Sequence, residues 1–216
     1  DSVLAQTLQP REIIVVDDGS TDETQRVIEP FARRGKWLKI HVQENQGSNP
    51  ARNTGFGLSS GSRVIFLDAD VVMRPDMLEK LSRALYERPE AGFAYSAFRF
   101  GWKRFRSFPF DAARLRHMNY IHTSALICRE AFPGFDETIK RFQDWDIWLT
   151  MLEGGRSGVF VPDELFRVLH TRGRIGISSW RPSFFYRLPW FGRCSDSVRK
   201  YEDAREIIYK KHGLCT

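Results

Sequence analysis

The sequence predicts an α/β protein: an open, mostly parallel sheet flanked by helices, in one domain with a helical C-terminal tail. Three observations carry this. Over the first ninety residues, short apolar runs alternate with amphipathic stretches, the pattern of strand–helix–strand crossovers, which are right-handed and set successive strands parallel. Two of these runs, Ile13 to Val16 and Val64 to Leu67, are apolar without alternation, as strands covered on both faces are. Both run into carboxylates, Asp17 and Asp18 after the first, Asp68 and Asp70 after the second. Parallel sheets bind ligands at the carboxyl ends of their strands, so these acids are expected to line one rim.

In order along the chain, Ser2 to Leu8 reads as the end of a helix closed by Gln9 and Pro10. After the strand at Glu12 to Val16, Gly19 permits a tight turn, and Ser20 or Thr21 is placed to cap a helix running to about Arg34. Pro30 falls inside that helix and Gly35 stops it. Trp37 to Val42 is a third strand. Glu44 to Pro50 is a loop, and Pro50 is well placed to start a helix over Ala51 to Leu58. The apolar run into Asp68 and Asp70 follows, then an amphipathic helix over Asp76 to Tyr86 with Met77, Leu78, Leu81 and Leu85 inward. Phe93 to Phe100 and Asn119 to Cys128 read as strands. Between them, residues 99 to 116 are basic and aromatic. Phe132 to Glu137 is a turn and Gln143 to Leu152 a helix ended by Gly154 and Gly155. Val159 to Val161 is a short strand, His170 to Ser179 a Gly- and Arg-rich loop, and Ser195 to Lys211 an amphipathic helix. Residues 1–180 are expected to form the domain and 181–216 a helical extension.

Length and composition bound the class. A chain of 216 residues with 42% hydrophobic and 28% charged residues is long enough to bury a proper core. A net charge of +6 and a pI near 9.4 suit an acidic partner: phosphate groups, nucleic acid or an anionic membrane surface. Three cysteines, Cys128, Cys194 and Cys215, lack metal-ligand spacing and point to a reducing, cytoplasmic compartment. No apolar run approaches the roughly 18–20 residues that cross a bilayer.

Asp68 and Asp70 stand one residue apart. Held together, two carboxylates repel unless a cation neutralises them. Hard oxygen ligands suit Mg²⁺ or Mn²⁺, and such ions also bind substrate phosphates. The other reading is a strand end followed by solvated turn acids.

These pieces together resemble an inverting family 2 glycosyltransferase of the GT-A fold. The resemblance rests on Glu12 to Asp22, on Asn45-Gln46-Gly47 with Ala51 to Gly55, on Phe66 to Asp70, on Pro133 to Glu137, and on Gln143 to Asp146. It covers roughly residues 2 to 175. Each motif alone is modest; their order is specific. Two departures stand out. The family opens with a strand and loop that help hold the nucleotide base, whereas this chain begins in the helix that follows them, so an N-terminally incomplete domain is expected. Gln143 stands where the family usually has Glu.

The resemblance implies transfer of a sugar from a nucleotide-diphosphate sugar, by family habit UDP-linked, with Mn²⁺ or Mg²⁺ as cofactor. Asp70 then holds the metal, and Asp68 serves the ribose or the metal's waters. Asp17 contacts the base or ribose; Asp18 does the same or caps the turn. Arg52 and Asn53 brace the diphosphate side or form a hydrogen-bond network at a helix start. Asp144 is the general base, placed where a helix dipole stabilises a carboxylate, although an acid there is also a common structural cap. His170 completes the metal site as a neutral imidazole or is a plain polar residue. Arg172 and Arg174 cover the diphosphate or are solvated loop charges. The implied acceptor is a glycan, a lipid-linked molecule or a small molecule, in surface polysaccharide or glycan synthesis, and nucleic acid is not among the implied partners. Residues 99–116 contact an anionic acceptor or the inner face of a membrane, or pack their aromatics on the sheet.

Three alternatives belong to other classes. Val64 to Val72 also resembles the nucleophile strand of haloacid-dehalogenase-like phosphatases, but the later Lys and Asp pair of those enzymes is missing. A nucleic-acid-binding module would use the basic aromatic stretch, yet no recognition signature accompanies it. A catalytically inactive glycosyltransferase-like domain would keep the fold alone.

Overall fold

The computed structural model describes residues 1–33, 35–105, 107–169 and 196–214. Two sheets carry the chain. In the smaller, β1 (Ile13–Asp18) and β2 (Leu38–Gln43) pair in parallel, with Asp18 opposite Gln43 at one end. Helix α1 (Thr24–Ala32) links them and keeps Pro30 inside. The start of α1 differs from expectation. No side chain caps it at Glu23, and it is Asp22 Oδ1 that accepts the Thr24 N–H at 3.0 Å. Residues 2–5 form a turn rather than a helix end. Gln6 anchors this segment instead, donating to Arg74 O at 2.7 Å and accepting from Leu78 N at 3.0 Å.

The larger sheet has six strands. β3 (Arg63–Ile65) pairs antiparallel with β7 (Leu126–Cys128), which pairs antiparallel with β5 (Ala91–Phe100). β5 lies parallel to β8 (Ser157–Val168), and β8 antiparallel to β4 (Val71–Met73). β3, β5 and β8 therefore point one way, with β7 inserted in reverse and β4 reversed at the edge. β6 (Lys103–Phe105) folds back on β5 as a hairpin.

The expected strand through residues 63–71 is broken in two. Between its halves Asp68 to Asp70 forms a turn closed by Val71 N to Asp68 O at 3.0 Å. Two adjacent-facing carboxylates cannot enter a buried ladder without severe desolvation, so the chain turns where they stand. β8 is much longer than Val159 to Val161. Pro162 and Asp163 read as a terminator, but the pairing with β5 passes from Val161 opposite Ser96 to Glu164 opposite Ala97. The Pro-Asp pair bulges out, which spares the ladder the missing proline N–H. The expected strand over 119–128 shrinks to β7. The basic aromatic stretch contains β6 and a helix α4 (Ala112–His117), whose Asp111 cap accepts from Arg114 N at 3.0 Å.

Alternate residues of the sheet feed two cores. Ala94 and Leu126 face Met77, Leu81 and Leu85 of α3 (Met77–Glu87), together with Leu165. Phe93, Tyr95 and Ile127 face Trp145, Trp148 and Met151 of α5 (Gln143–Glu153). Ile208 and Tyr209 of α6 (Asp196–Lys211) close this second core. Phe93 stacks on Trp148 with centroids 4.6 Å apart, and Gly158, opposite Phe93 in the ladder, makes room for the ring. A Cβ on Gly158 would stand 2.4 Å from the Phe93 ring. The predicted effect of Gly158→Ala is therefore a loss of about 1–3 kcal/mol, by overpacking, read from denaturant midpoints.

Immediately after α6, His212 is wedged between Asp146 and Glu153, 2.8 and 2.7 Å away. Burial pushes its pKa down, but its hydrogen bonds to Asp146 and Glu153 outweigh that and raise it. The folded state thus holds this proton more tightly than the unfolded chain. The stabilisation is complete below the ordinary histidine pKa of about 6.5 and lost as pH rises through the folded-state value. The melting-temperature gap between the wild type and His212→Gln should accordingly be widest in mildly acidic buffer and shrink in alkaline buffer. A gap that does not change with pH would contradict this.

Candidate functional site

β1 ends in Asp17 and Asp18, which do different work. Asp17 is only 3% exposed. Its Oδ1 accepts the Ser20 N–H at 2.9 Å, while Oδ2 is buried without a hydrogen-bond partner. Hydrogen bonding from the hydroxyl and N–H of Ser20 holds its pKa below the usual carboxylate range. Asp18 is saturated. It accepts from Gln43 Nε2 at 2.9 Å, Gln46 N at 2.9 Å and Gly47 N at 2.8 Å. Burial pushes its pKa up, but these bonds from Gln46, Gln43 and Gly47 prevail and lower it. Asp18 thereby ties the 44–47 loop to the end of β1. Gly19 has φ +75°, and a Cβ there would meet Asn45 N at 2.9 Å, so the turn that aims both acids needs glycine.

Gly47 leads into α2 (Ser48–Leu58). The helix starts three residues earlier than expected and holds Pro50 in its first turn, where the missing N–H has no intrahelical partner to lose. Asn49, Arg52 and Asn53 share one face at spacings of three and four. Asn49 Nδ2 donates to Asp136 O at 2.7 Å and Ile139 O at 3.0 Å. Asn53 closes a reciprocal pair with Phe135. Its Nδ2 donates to Phe135 O at 2.9 Å and its Oδ1 accepts from Phe135 N at 2.8 Å. Nδ2 also reaches Glu137 Oε1 at 2.9 Å. Arg52 instead reaches across the rim. Its Nη2 donates to Asp68 Oδ1 at 2.7 Å and its Nη1 to Gln143 Oε1 at 3.3 Å.

Asp70 sits deeper in the same corner, and its pKa is raised by burial and by the nearby Asp68 charge. Its carbonyl accepts the Leu169 N–H at 2.8 Å, so the chain just beyond β8 runs beside it. His170, Arg172 and Arg174 lie outside the described residues. Among the described residues, no group of three or more His, Cys, Asp or Glu side chains is arranged to hold a metal. Asp144 is the second residue of α5, after Phe142 in the left-handed region, and its Oδ1 accepts the Trp145 N–H at 2.9 Å. It is therefore not the cap. Gln143 binds Ser48 Oγ at 3.0 Å, so the residue in the Glu position is part of a neutral brace between α2 and α5.

His122 was not expected here, since the residues around it in sequence suggest no ligand or partner. The structure sets it within electrostatic reach of Asp144, Asp68, Asp70 and Arg52. Its Nδ1 accepts the Ser124 N–H at 3.1 Å, which fixes a neutral ring with the proton on Nε2. Burial, the largest influence, lowers its pKa in keeping with that tautomer. It packs against the stacked pair Phe98 and Phe166, each ring centroid 5.0 Å away. The available signal was a single histidine in a run, Tyr120 to Ile127, that carries no other charged residue type.

Residues 1–146 match the model of glycosyl transferase family 2. The chain belongs to that family. An uncharacterised glycosyltransferase of a Nostoc species is 44% identical over 82 residues, 38% of this chain and 26% of that protein. The PGL/p-HBAD biosynthesis glycosyltransferase of Mycobacterium bovis is 28% identical over 203 residues, 82% of this chain and 79% of that protein. Among solved structures, Staphylococcus aureus TarS in complex with UDP-GlcNAc superposes with a TM-score of 0.70 at 18% identity, over 86% of this chain and 58% of that one. The mannosyltransferase of Pyrobaculum calidifontis, in complex with GDP-Man and Mn²⁺, gives 0.63 at 24% identity, over 80% and 52%. At these identities the structures speak for the family 2 fold. The chain spans 12–26% of the length of the first three curated relatives.

The Asn53 bracket makes a discriminating test. Asn53→Asp keeps an acceptor for Phe135 N but turns the donor into an oxygen facing Phe135 O and Glu137. It should lower stability by about 1–3 kcal/mol, seen in urea unfolding. Unchanged stability with weakened nucleotide binding would instead make Asn53 a ligand contact.

Proposed function

We propose that this family 2 chain transfers a sugar, with inversion, from a nucleotide-diphosphate sugar to an acceptor hydroxyl. One observation carries the reading: Asp144 from α5 and Asp68 and Asp70 from the β3–β4 turn all lie within electrostatic reach of one half-buried ring, His122. Two acids that repel each other and a third in the same electrostatic neighbourhood are what such a transfer needs: a cation site and a base near one reacting centre.

Asp144 would accept the proton of the acceptor hydroxyl as its oxygen attacks the anomeric carbon. The bond from that carbon to the diphosphate oxygen breaks on the opposite face, and the diphosphate leaves. The unpartnered Oδ2 of Asp17 is a buried acceptor suited to an N–H of the base or a ribose hydroxyl. Asp68 is already paired with Arg52 and would face the ribose side, with Arg52 free to share its guanidinium with phosphate oxygens. The residues present fit a hard divalent cation. Asp70 is half-buried beside a second carboxylate, and Mg²⁺-like ions use one or two carboxylates plus substrate phosphates. Asp70 would hold it, and the family resemblance offers His170 as a further ligand. When bound, Mn²⁺ or Mg²⁺ would neutralise the departing diphosphate.

The donor is read as UDP-linked. TarS is bound to UDP-GlcNAc and the Pyrobaculum enzyme to GDP-Man and Mn²⁺, which keeps guanosine in the comparison. The acceptor is a glycan, lipid-linked or small molecule, in polysaccharide or glycan synthesis. A cytoplasmic site of action at the inner face of a membrane would fit the exposed Trp102 at the β5–β6 turn, 87% accessible beside Lys103. Most other aromatics of this stretch pack inward, as in the stacked pair Phe98 and Phe105. Among the described residues, no helix is long and apolar enough to cross a membrane.

Calorimetric titration of UDP, GDP and ADP, with Mn²⁺ and with EDTA, tests the reading. Metal-dependent binding of one nucleotide is expected, and loss of that binding in Asp70→Asn. Asp144→Asn should retain the nucleotide affinity and lose turnover by about 100-fold or more, the scale of general base catalysis. Full turnover in that variant would remove Asp144 from its role.

A further inference from the structure

We infer that Lys211 and His212, at the C-terminal end of α6, are positioning residues that hold the first turn of α5, and with it Asp144, in place. The inference rests on the reading of Asp144 as the base. It starts from Asp146, one of the few buried acids of the protein, 3% exposed and two residues after Asp144. A carboxylate taken out of water needs full compensation, and α6 supplies it. Lys211 Nζ stands 2.8 Å from Asp146 Oδ1, and His212 Nε2 2.8 Å from the same oxygen. Lys211 also donates to Asp136 Oδ2 at 2.7 Å, and His212 Nδ1 meets Glu153 Oε1 at 2.7 Å. Both ring nitrogens therefore face carboxylates, which is the hydrogen-bonding pattern of an imidazolium.

The first turn of α5 is also held by the Gln143–Ser48 brace and by Trp145, whose Nε1 donates to Leu115 O at 2.7 Å, but neither answers the Asp146 charge. Its cap position is Phe142 at φ +62°, with no side-chain capping bond, a backbone conformation that is uncommon for a bulky residue. The Asp146 N–H bonds to Phe142 O at 2.9 Å, so fixing Asp146 fixes the turn in which Asp144 stands. Tyr201 of α6 adds an edge contact to the Phe142 ring at 5.1 Å. Lys211 joins this turn to Asp136, whose carbonyl is held by Asn49. The splint therefore reaches α2 on the donor side. A pair of apolar side chains would fill this space at no greater cost in stability. A buried ionic network instead imposes one geometry, and displacement of a reacting group by about 1 Å is worth as much as 100-fold in rate.

The test uses the 216-residue chain with UDP-GlcNAc and GDP-mannose as donors and water as acceptor, following nucleotide release, alongside amide hydrogen exchange of residues 143–147. Lys211→Met and His212→Gln should each lower the turnover about tenfold at saturating donor, leave the nucleotide Kd within about twofold, and speed exchange of 143–147 selectively. Lys211→Arg, which keeps both ion pairs, should stay near wild type. Folded Lys211→Met and His212→Gln proteins with unchanged turnover and exchange would overturn the inference. Should neither fold, wild-type exchange compared below and above the His212 titration decides: protection of 143–147 that does not fall relative to the rest of the protein overturns it. Full turnover in Asp144→Asn is a separate outcome that defeats the base assignment itself.

Discussion

Two asparagines one helical turn apart, Asn49 and Asn53, tie the two halves of this protein together. Among the described residues, the β1–β2 sheet shares no ladder with the six-stranded sheet. What joins them is α2, and α2 reaches the 135–139 segment through two side-chain amides. Asn53 treats Phe135 as a neighbouring strand would, accepting from its N–H and donating to its carbonyl. Asn49 holds the carbonyls of Asp136 and Ile139. These groups are buried or half-buried, so each bond answers a backbone group that would otherwise stand unpaired.

Charge arrangement then separates the acids of the rim. Asp18 is neutralised by backbone N–H groups and is part of the scaffold. Asp68 has Arg52 as its counter-ion. Among the described residues Asp70 has no arginine or lysine counter-ion, lies deeper than Asp68, and has its pKa raised by burial and by Asp68. A cation nearby would favour its charged form, in keeping with the metal role proposed for it. His122, held by Ser124 and with its pKa lowered chiefly by burial, lies within electrostatic reach of the same acids. Asp146 behaves in the opposite way to Asp70: equally acidic by type and more deeply buried, it is met by Lys211 of α6 and by His212 just after it.

Much of the frame was readable from the chain because its signals are local. Unbroken apolar runs gave β1 and β3, periods of 3.6 gave α3, α5 and α6, and Gly19 marked the turn that aims Asp17 and Asp18. The misses have physical reasons. Pro162-Asp163 ends a strand by any local rule, but a parallel neighbour tolerates it as a bulge. Leu8 and its predecessors have helical composition, yet Gln6 finds better partners in Arg74 and Leu78 than a helix would offer. The basic aromatic stretch had no single period because it contains a strand, a loop and a short capped helix.

The sequence by itself determined the fold class, the family and the order of the acids on the rim, because each depends on contacts between residues close in the chain. Only the tertiary structure decided which acids are compensated and which are left to a ligand. Arg52 meets Asp68 across 16 residues, His122 comes within electrostatic reach of Asp144, and Lys211 meets Asp146 across 65. A carboxylate's role follows from burial and from the charges around it, and those are set by chain segments whose meeting no local pattern records.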